Sequence, residues 1–189
     1  MRLIGEVFAT YLLAQQGDQL LLVDKHAAHE RMLFNRLQAQ HKSRTVERQL
    51  LLASQRVSFP KELYGLLVQN LELLEQLGFL AEDFGEGSLL VREIPVILGL
   101  DQLEDTLLEV AEKLQKGNPR PELDRWDDLL HTMACKAAVK GGSFTGELEQ
   151  KKLLELLQND PTLRSCPHGR PIIIQLSRRE IEKMFGRIV

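Results

Sequence analysis

Long hydrophobic runs are missing from this chain: none approaches the ~20 apolar residues that a membrane helix needs, so no membrane association is expected. The opening MRLIGEVFATYLL carries one arginine, but Glu6 interrupts its apolar run and no small-residue cleavage site follows. A signal peptide is therefore not expected. Cysteine is scarce, with only Cys135 and Cys166. Two cysteines do not build a secreted disulfide framework, so the expected compartment is the reducing cytoplasm, and the thiols are left as core groups or metal ligands. Net charge is also small, −3 at pH 7, which argues against a protein that coats DNA non-specifically. There are no internal repeats, no low-complexity segments and no G-x-x-x-x-G-K-[ST] phosphate loop.

What is present fits a soluble globular protein of 189 residues, 43% apolar and 27% charged. The charges are unevenly spread. Glu72 to Glu112 holds eleven acids and one base, Arg92. From Arg164 to Val189 there are six bases and two acids, and residues 31–48 are also basic. The two ends suit a polyanion better than the middle does. Residues 6–24 read as a hairpin around QGDQ, and 26–40 as a helix. RVSF (56–59) reads as a short strand, 61–77 as a leucine-rich helix ended by Gly78, and SLLVREIP as a strand. Helices are expected at 101–115, 124–140 and 146–158, and a buried-type strand at IIIQL. Ser177 and Glu180 form an S-x-x-E capping box before a last helix whose Ile181, Met184, Phe185 and Ile188 share one stripe. The expected class is α+β, with two lobes.

The chemistry concentrates in LLLVDKHAAHERMLFNRL, residues 20–37. A strand there ends in an acid, two histidines and a glutamate. His26 and Glu30 stand at i and i+4 of the expected helix, so they share a face, with Asp24 just before them. Cys166 and His168 flank a proline in SCPHGRP. With Cys135 these residues offer carboxylate, imidazole and thiolate donors, a mixture suited to Zn²⁺, and to Mn²⁺ at the carboxylate end. The other reading keeps the histidines on the surface and the cysteines in the core.

DKHAAHE, ACKAAVK, CPHGRP and the terminal FGRIV follow the order found in the C-terminal domain of the MutL mismatch repair family, which the chain resembles over nearly its whole length. The resemblance implies a sheet-and-helix dimerisation lobe at 1–58 and 129–189, with a mostly helical external lobe inserted at 59–128. It implies a homodimer that works on double-stranded DNA with the sliding clamp and the mismatch-recognition protein MutS. Many family members are metal-dependent endonucleases that nick one strand, with the signature D-Q-H-A-x2-E-x4-E. Carried over, Asp24, His26 and Glu30 are the catalytic group, and Cys135, Cys166 and His168 complete a Zn²⁺ or Mn²⁺ site. Arg170 is placed to contact DNA phosphate or to serve in a structural ion pair. Lys25 replaces the usual Gln, and Asn35 the last Glu, which removes a negative charge. In RQLLLAS, Gln49, Leu51 and Leu52 match the family's clamp-binding segment, with Ser54 where proline is frequent. The plain alternative for that segment is a buried strand of leucines. The alternative for the whole chain is a non-catalytic dimerisation and clamp-binding module with a structural zinc. The family's ATPase lies in an N-terminal domain, so this chain is expected to be a fragment.

Overall fold

A computed structural model describes residues 1–116, 122–140, 146–166 and 169–188, with the backbone alone at 122–124, 139–140 and 161–162. The architecture is α+β, in two compact units: Met1–Met32 with Ala138–Val189, and Leu33–Ala137. These bounds differ from 59–128 for the inserted part. The strand containing RVSF pairs inside the second unit, so Leu33–Ser58 and 129–137 go with it.

The first unit is built on an antiparallel sheet of β1 (Arg2–Val7), β2 (Tyr11–Gln16), β3 (Gln19–Asp24) and β7 (Ile173–Ser177), in the order β1-β2-β3-β7. Its period-two pattern turns Leu12 and Ala14 of β2 and Leu21 and Val23 of β3 inward. They pack with Ala28 of helix α1 (Lys25–Lys42), Leu154 and Leu157 of α6 (Glu147–Asn159), Leu163, Cys166 and Ile172. The opposite face carries a cross-strand row of Leu13, Leu22 and Ile174, of which Ile174 is 52% exposed.

The expected hairpin is present, turning at Gly17 (φ +57°). EVFATYLLAQ is nonetheless not one strand. Phe8 and Ala9 both adopt left-handed backbone, φ +56° and +50°, and reverse the chain between β1 and β2. No glycine or asparagine announces this turn. The last strand leads into α7 (Arg178–Met184), opened by the expected capping box. Ser177 N donates to Glu180 Oε2 at 2.7 Å, and Glu180 N donates to Ser177 Oγ at 3.2 Å. Met184 and Phe185 stand open, 72% and 76% exposed.

The second unit contains an antiparallel sheet in the order β4-β6-β5: β4 (Arg48–Ser58), β6 (Ser88–Pro95) and β5 (Leu80–Gly85). Leu67, Leu74, Leu77, Phe79, Leu89, Val91, Ile94 and Leu107 are fully buried in its core. The expected single helix over 61–77 is two, α2 (Lys61–Gln69) and α3 (Leu71–Gln76). Asn70 divides them because its side-chain amide donates to Leu66 O at 2.8 Å, competing with the helical ladder. Gly78 (φ +95°) ends α3 where a Cβ would meet Val46 Cγ1 at 2.8 Å. α4 (Leu103–Lys116) and α5 (Glu122–Lys140) follow.

Three side-chain rungs join the second half of α1 to α5. Phe34 meets His131 edge-on at 6.0 Å, Gln38 Nε2 donates to Asp127 Oδ1 at 2.9 Å, and His41 lies 4.1 Å from Trp126. Burial lowers the His41 pKa, with Asp127 opposing the shift.

Candidate functional site

Asp24 is both the last residue of β3 and the cap of α1. Its Oδ1 accepts from Ala27 N at 3.0 Å, the bond a capping carboxylate makes at the third position of a helix. Its own N–H donates to Ile172 O at 2.9 Å. A strand that ends in a helix must satisfy the free N–H groups of the first turn. An aspartate does so with one oxygen and places its charge at the positive end of the helix.

His26 follows on that first turn and is exposed, while Glu30, one turn on, is 6% exposed. Between them His29 has its pKa lowered, first by burial and then by His26, against the opposing pull of Glu149 on α6. His29, which the D-x-H-x3-E spacing leaves without a role, therefore stands half-buried beside the exposed His26.

Lys25 is turned away from this group. It is 7% exposed, and its Nζ lies 2.6 Å from Glu6 Oε1. Gln150 Nε2 donates to the other oxygen of Glu6, also at 2.6 Å. The residue that departs from the family signature therefore belongs to a polar cluster linking β1, α1 and α6. The sequence signal was available only as a pair: an acid five residues before the hairpin strand and a lysine nineteen residues after that acid.

The two ends of SCPHGRP pair as the arms of a hairpin. Ser165 and Pro171 bridge, Cys166 N donates to Arg170 O at 2.8 Å, and Gly169 N donates to Cys166 O at 2.8 Å. Gly169 takes φ +81°, conformational space that a side chain would resist. Cys166 is 5% exposed, and Arg170 is exposed. The hairpin continues into Ile172, which accepts from Asp24 N, so it is tied to the strand carrying Asp24. The first unit thus brings Asp24, His26, Glu30, Cys166 and Arg170 into elements at one end of its sheet.

Cys135 is half-buried on α5 of the other unit, one turn past His131. His168 lies outside the described residues. Among the described residues no set of three or more His, Cys, Asp and Glu groups could hold a metal ion. The donor types in the first unit, two carboxylates, an imidazole and a thiol, fit Zn²⁺ or Mn²⁺ chemically. Asn35 is half-buried on α1.

The segment RQLLLAS lies in β4, an edge strand. Pairing with β6 is regular from Arg48 to Leu50 and resumes at Gln55, so residues 51–54 bulge opposite Arg92. Gln49 Nε2 donates to Leu98 O at 3.0 Å, and Leu51 packs on the core. Leu50 is 76% exposed and Leu52 fully so, which a strand buried on both faces would not leave.

The elements together define a two-unit α+β domain with a carboxylate–imidazole group at a strand-to-helix junction and an open apolar sheet face. The chain belongs to the MutL C terminal dimerisation domain family, whose model matches residues 4–144. It is 36% identical to the DNA mismatch repair protein MutL of Caldanaerobacter subterraneus subsp. tengcongensis over all of this chain and 32% of the relative. Identity to the MutL of Thermoanaerobacter pseudethanolicus is 35%, over all of the chain and 30% of the relative. Identity to that of Acidiphilium cryptum is 40%, over 97% of the chain and 32% of the relative. The chain thus spans about a third of the length of these curated relatives. No described helix is long and apolar enough to cross a membrane.

Proposed function

We propose that this chain is the homodimeric, metal-dependent nicking endonuclease domain of a DNA mismatch repair protein. The observation that carries the reading is the junction at Asp24. One carboxylate oxygen caps α1, the backbone N–H ties β3 to the Cys166 hairpin, and His26 and Glu30 follow on the same helix.

Asp24, His26, Glu30 and Cys166 of the first unit, with His168, are the residues that would hold Zn²⁺ or Mn²⁺; Cys135 is carried over from the family resemblance alone. The ion, when bound, supplies charge neutralisation at the phosphoryl oxygens and an acidified water. Asp24, half-buried at the helix start, would either hold the ion or accept a proton from the attacking water. Glu30 is buried one turn along, which suits a carboxylate that orients the ion or its water. Arg170, exposed after the hairpin, meets a phosphate of the duplex.

Dimerisation is assigned to the apolar row of Leu13, Leu22 and Ile174 and to α7 with Met184 and Phe185. Apolar side chains this open on a strand face and a helix are what a two-fold mate covers. Gln49, Leu51 and Leu52 are assigned to the sliding clamp, with Leu52 as the side chain already presented. MutS is the further partner this role implies, and the reading places the protein in the cytoplasm.

Metal analysis of the purified homodimer, combined with strand nicking of supercoiled plasmid in Mn²⁺, tests the proposal. Nicking that chelator removes and Mn²⁺ restores is expected. A dimer that holds zinc and never nicks would instead be a dimerisation and clamp-docking module.

A further inference from the structure

We propose that Phe8 is a duplex-contacting residue: its ring seats against double-stranded DNA beside the candidate active site and sets where the strand lies over Asp24. The inference rests on the DNA-nicking reading for what Asp24 does, but it stands on a different observation.

Phe8 is 85% exposed, at φ +56°, and is followed by Ala9 at φ +50°. Left-handed backbone favours glycine, asparagine or aspartate, so a phenylalanine is disfavoured there by its own backbone. Its ring is also disfavoured by water, and it adds nothing to the core of the first unit. A hairpin needing only to turn is better served by Asn-Gly. Exposed aromatic surface held in a strained conformation is a reason to look for a partner.

The ring sits on a firm base. Thr10 N donates to Val7 O at 3.2 Å and Thr10 Oγ1 to Phe8 O at 2.8 Å. Lys25 N donates to Thr10 O at 3.1 Å, so the turn is one hydrogen bond from the first turn of the helix that carries His26. Tyr11 pairs with Asp24. On the other side of Asp24 lies Ile172, two residues after the exposed Arg170. One end of the sheet therefore carries Phe8, then Asp24 and His26, then Arg170.

A cation on one side of a carboxylate–imidazole group and an apolar ring on the other match a nucleic-acid duplex. Arginine positions a phosphate, and an apolar side chain wedges at a base step from the minor groove. A second copy of the chain is the poorer occupant. The apolar row that a mate would cover lies on the face of the sheet, whereas Phe8 lies at its end.

The test uses the full chain as a homodimer, with a short fluorescently labelled DNA duplex in EDTA, so that no cleavage intervenes. Phe8→Asn keeps a residue that tolerates left-handed backbone and removes the ring. It is expected to weaken duplex binding about tenfold, with dimerisation unchanged and a melting temperature equal to or above that of the wild type, because Asn relieves the backbone strain. Phe8→Trp is expected to retain binding, and in a Trp126→Phe background its emission should be quenched by the duplex. The proposal is overturned if Phe8→Asn binds duplex as the wild type does, if the wild type binds no duplex, or if Phe8→Asn dissociates the dimer. Because binding is read without metal, a protein that binds through Phe8 yet never nicks would count against the nuclease reading alone.

Discussion

Lys25 Nζ lies 2.6 Å from one oxygen of Glu6, and Gln150 Nε2 lies 2.6 Å from the other. Three segments far apart in sequence thus meet at one carboxylate. Lys25 is almost wholly buried and Glu6 is 20% exposed. Removing one partner leaves a charge with little access to water. Lys25→Met is therefore expected to cost about 2–4 kcal/mol in urea unfolding, less than a fully buried pair would lose. Combining Lys25→Gln with Glu6→Gln should recover most of that loss, because two neutral amides can still hydrogen-bond. Equal destabilisation in the single and the double variant would mean that the ion pair is not what holds these segments.

Asp24 has a structural duty and a proposed chemical one, and the two separate by substitution. Asp24→Ala loses the cap of α1 and should lower stability by about 1 kcal/mol. Asp24→Asn keeps a capping oxygen and should unfold close to the wild type. Thermal unfolding of the two variants decides. A larger loss for Asn than for Ala would contradict the capping role.

Much of the fold was legible where local chemistry settles the structure. SLLVREIP is bounded by a glycine turn and a proline, and its short run of Leu, Leu and Val between them reads as the strand β6. Ser177 and Glu180 carry their own cap, so the start of α7 was readable. What was hidden depends on partners distant in sequence. LAEDFG, with two acids and a glycine, becomes β5 only because β6 lies beside it. The turn at Phe8–Ala9 uses residues that do not advertise left-handed backbone. Of the candidate site, the D-x-H-x3-E spacing could be read because helical periodicity fixes it. The ties among Asp24, Ile172 and the Cys166 hairpin could not, because they span most of the chain.

The clamp segment makes a prediction the sequence could not. Leu52 is fully exposed while Leu51 packs on the core. Leu52→Ala should change stability by less than about 0.5 kcal/mol and weaken capture of a bacterial sliding clamp. Leu51→Ala should lower stability. Unimpaired clamp capture by Leu52→Ala would remove this segment from the interaction.

Helix α7 should respond to acid. Its Glu180 carboxyl is held below the ordinary carboxylate range, first by the Ser177 side chain and then by the Ser177 backbone N–H. A carboxylate whose pKa is depressed by folding adds stability at pH values above its unfolded pKa. That contribution is lost as pH falls through the lowered value. With Met184 and Phe185 exposed on the segment it opens, dimer strength should fall over the same acid range. Glu180→Gln should weaken the dimer at neutral pH and flatten the acid response, as read by analytical ultracentrifugation. Phe185→Asp should give monomer at neutral pH, and a persistent dimer would place the interface elsewhere.

The central claim is that Asp24 supports metal-dependent cleavage of one DNA strand. The most direct measurement compares wild type with Asp24→Asn, matched in fold and dimerisation, on supercoiled plasmid with Mn²⁺ and sliding clamp supplied. The account predicts conversion to nicked circles by the wild type and at least a hundredfold slower conversion by Asp24→Asn, on the order of the loss when a key electrostatic group is removed. Equal rates for the two proteins, or no nicking by either, would contradict it.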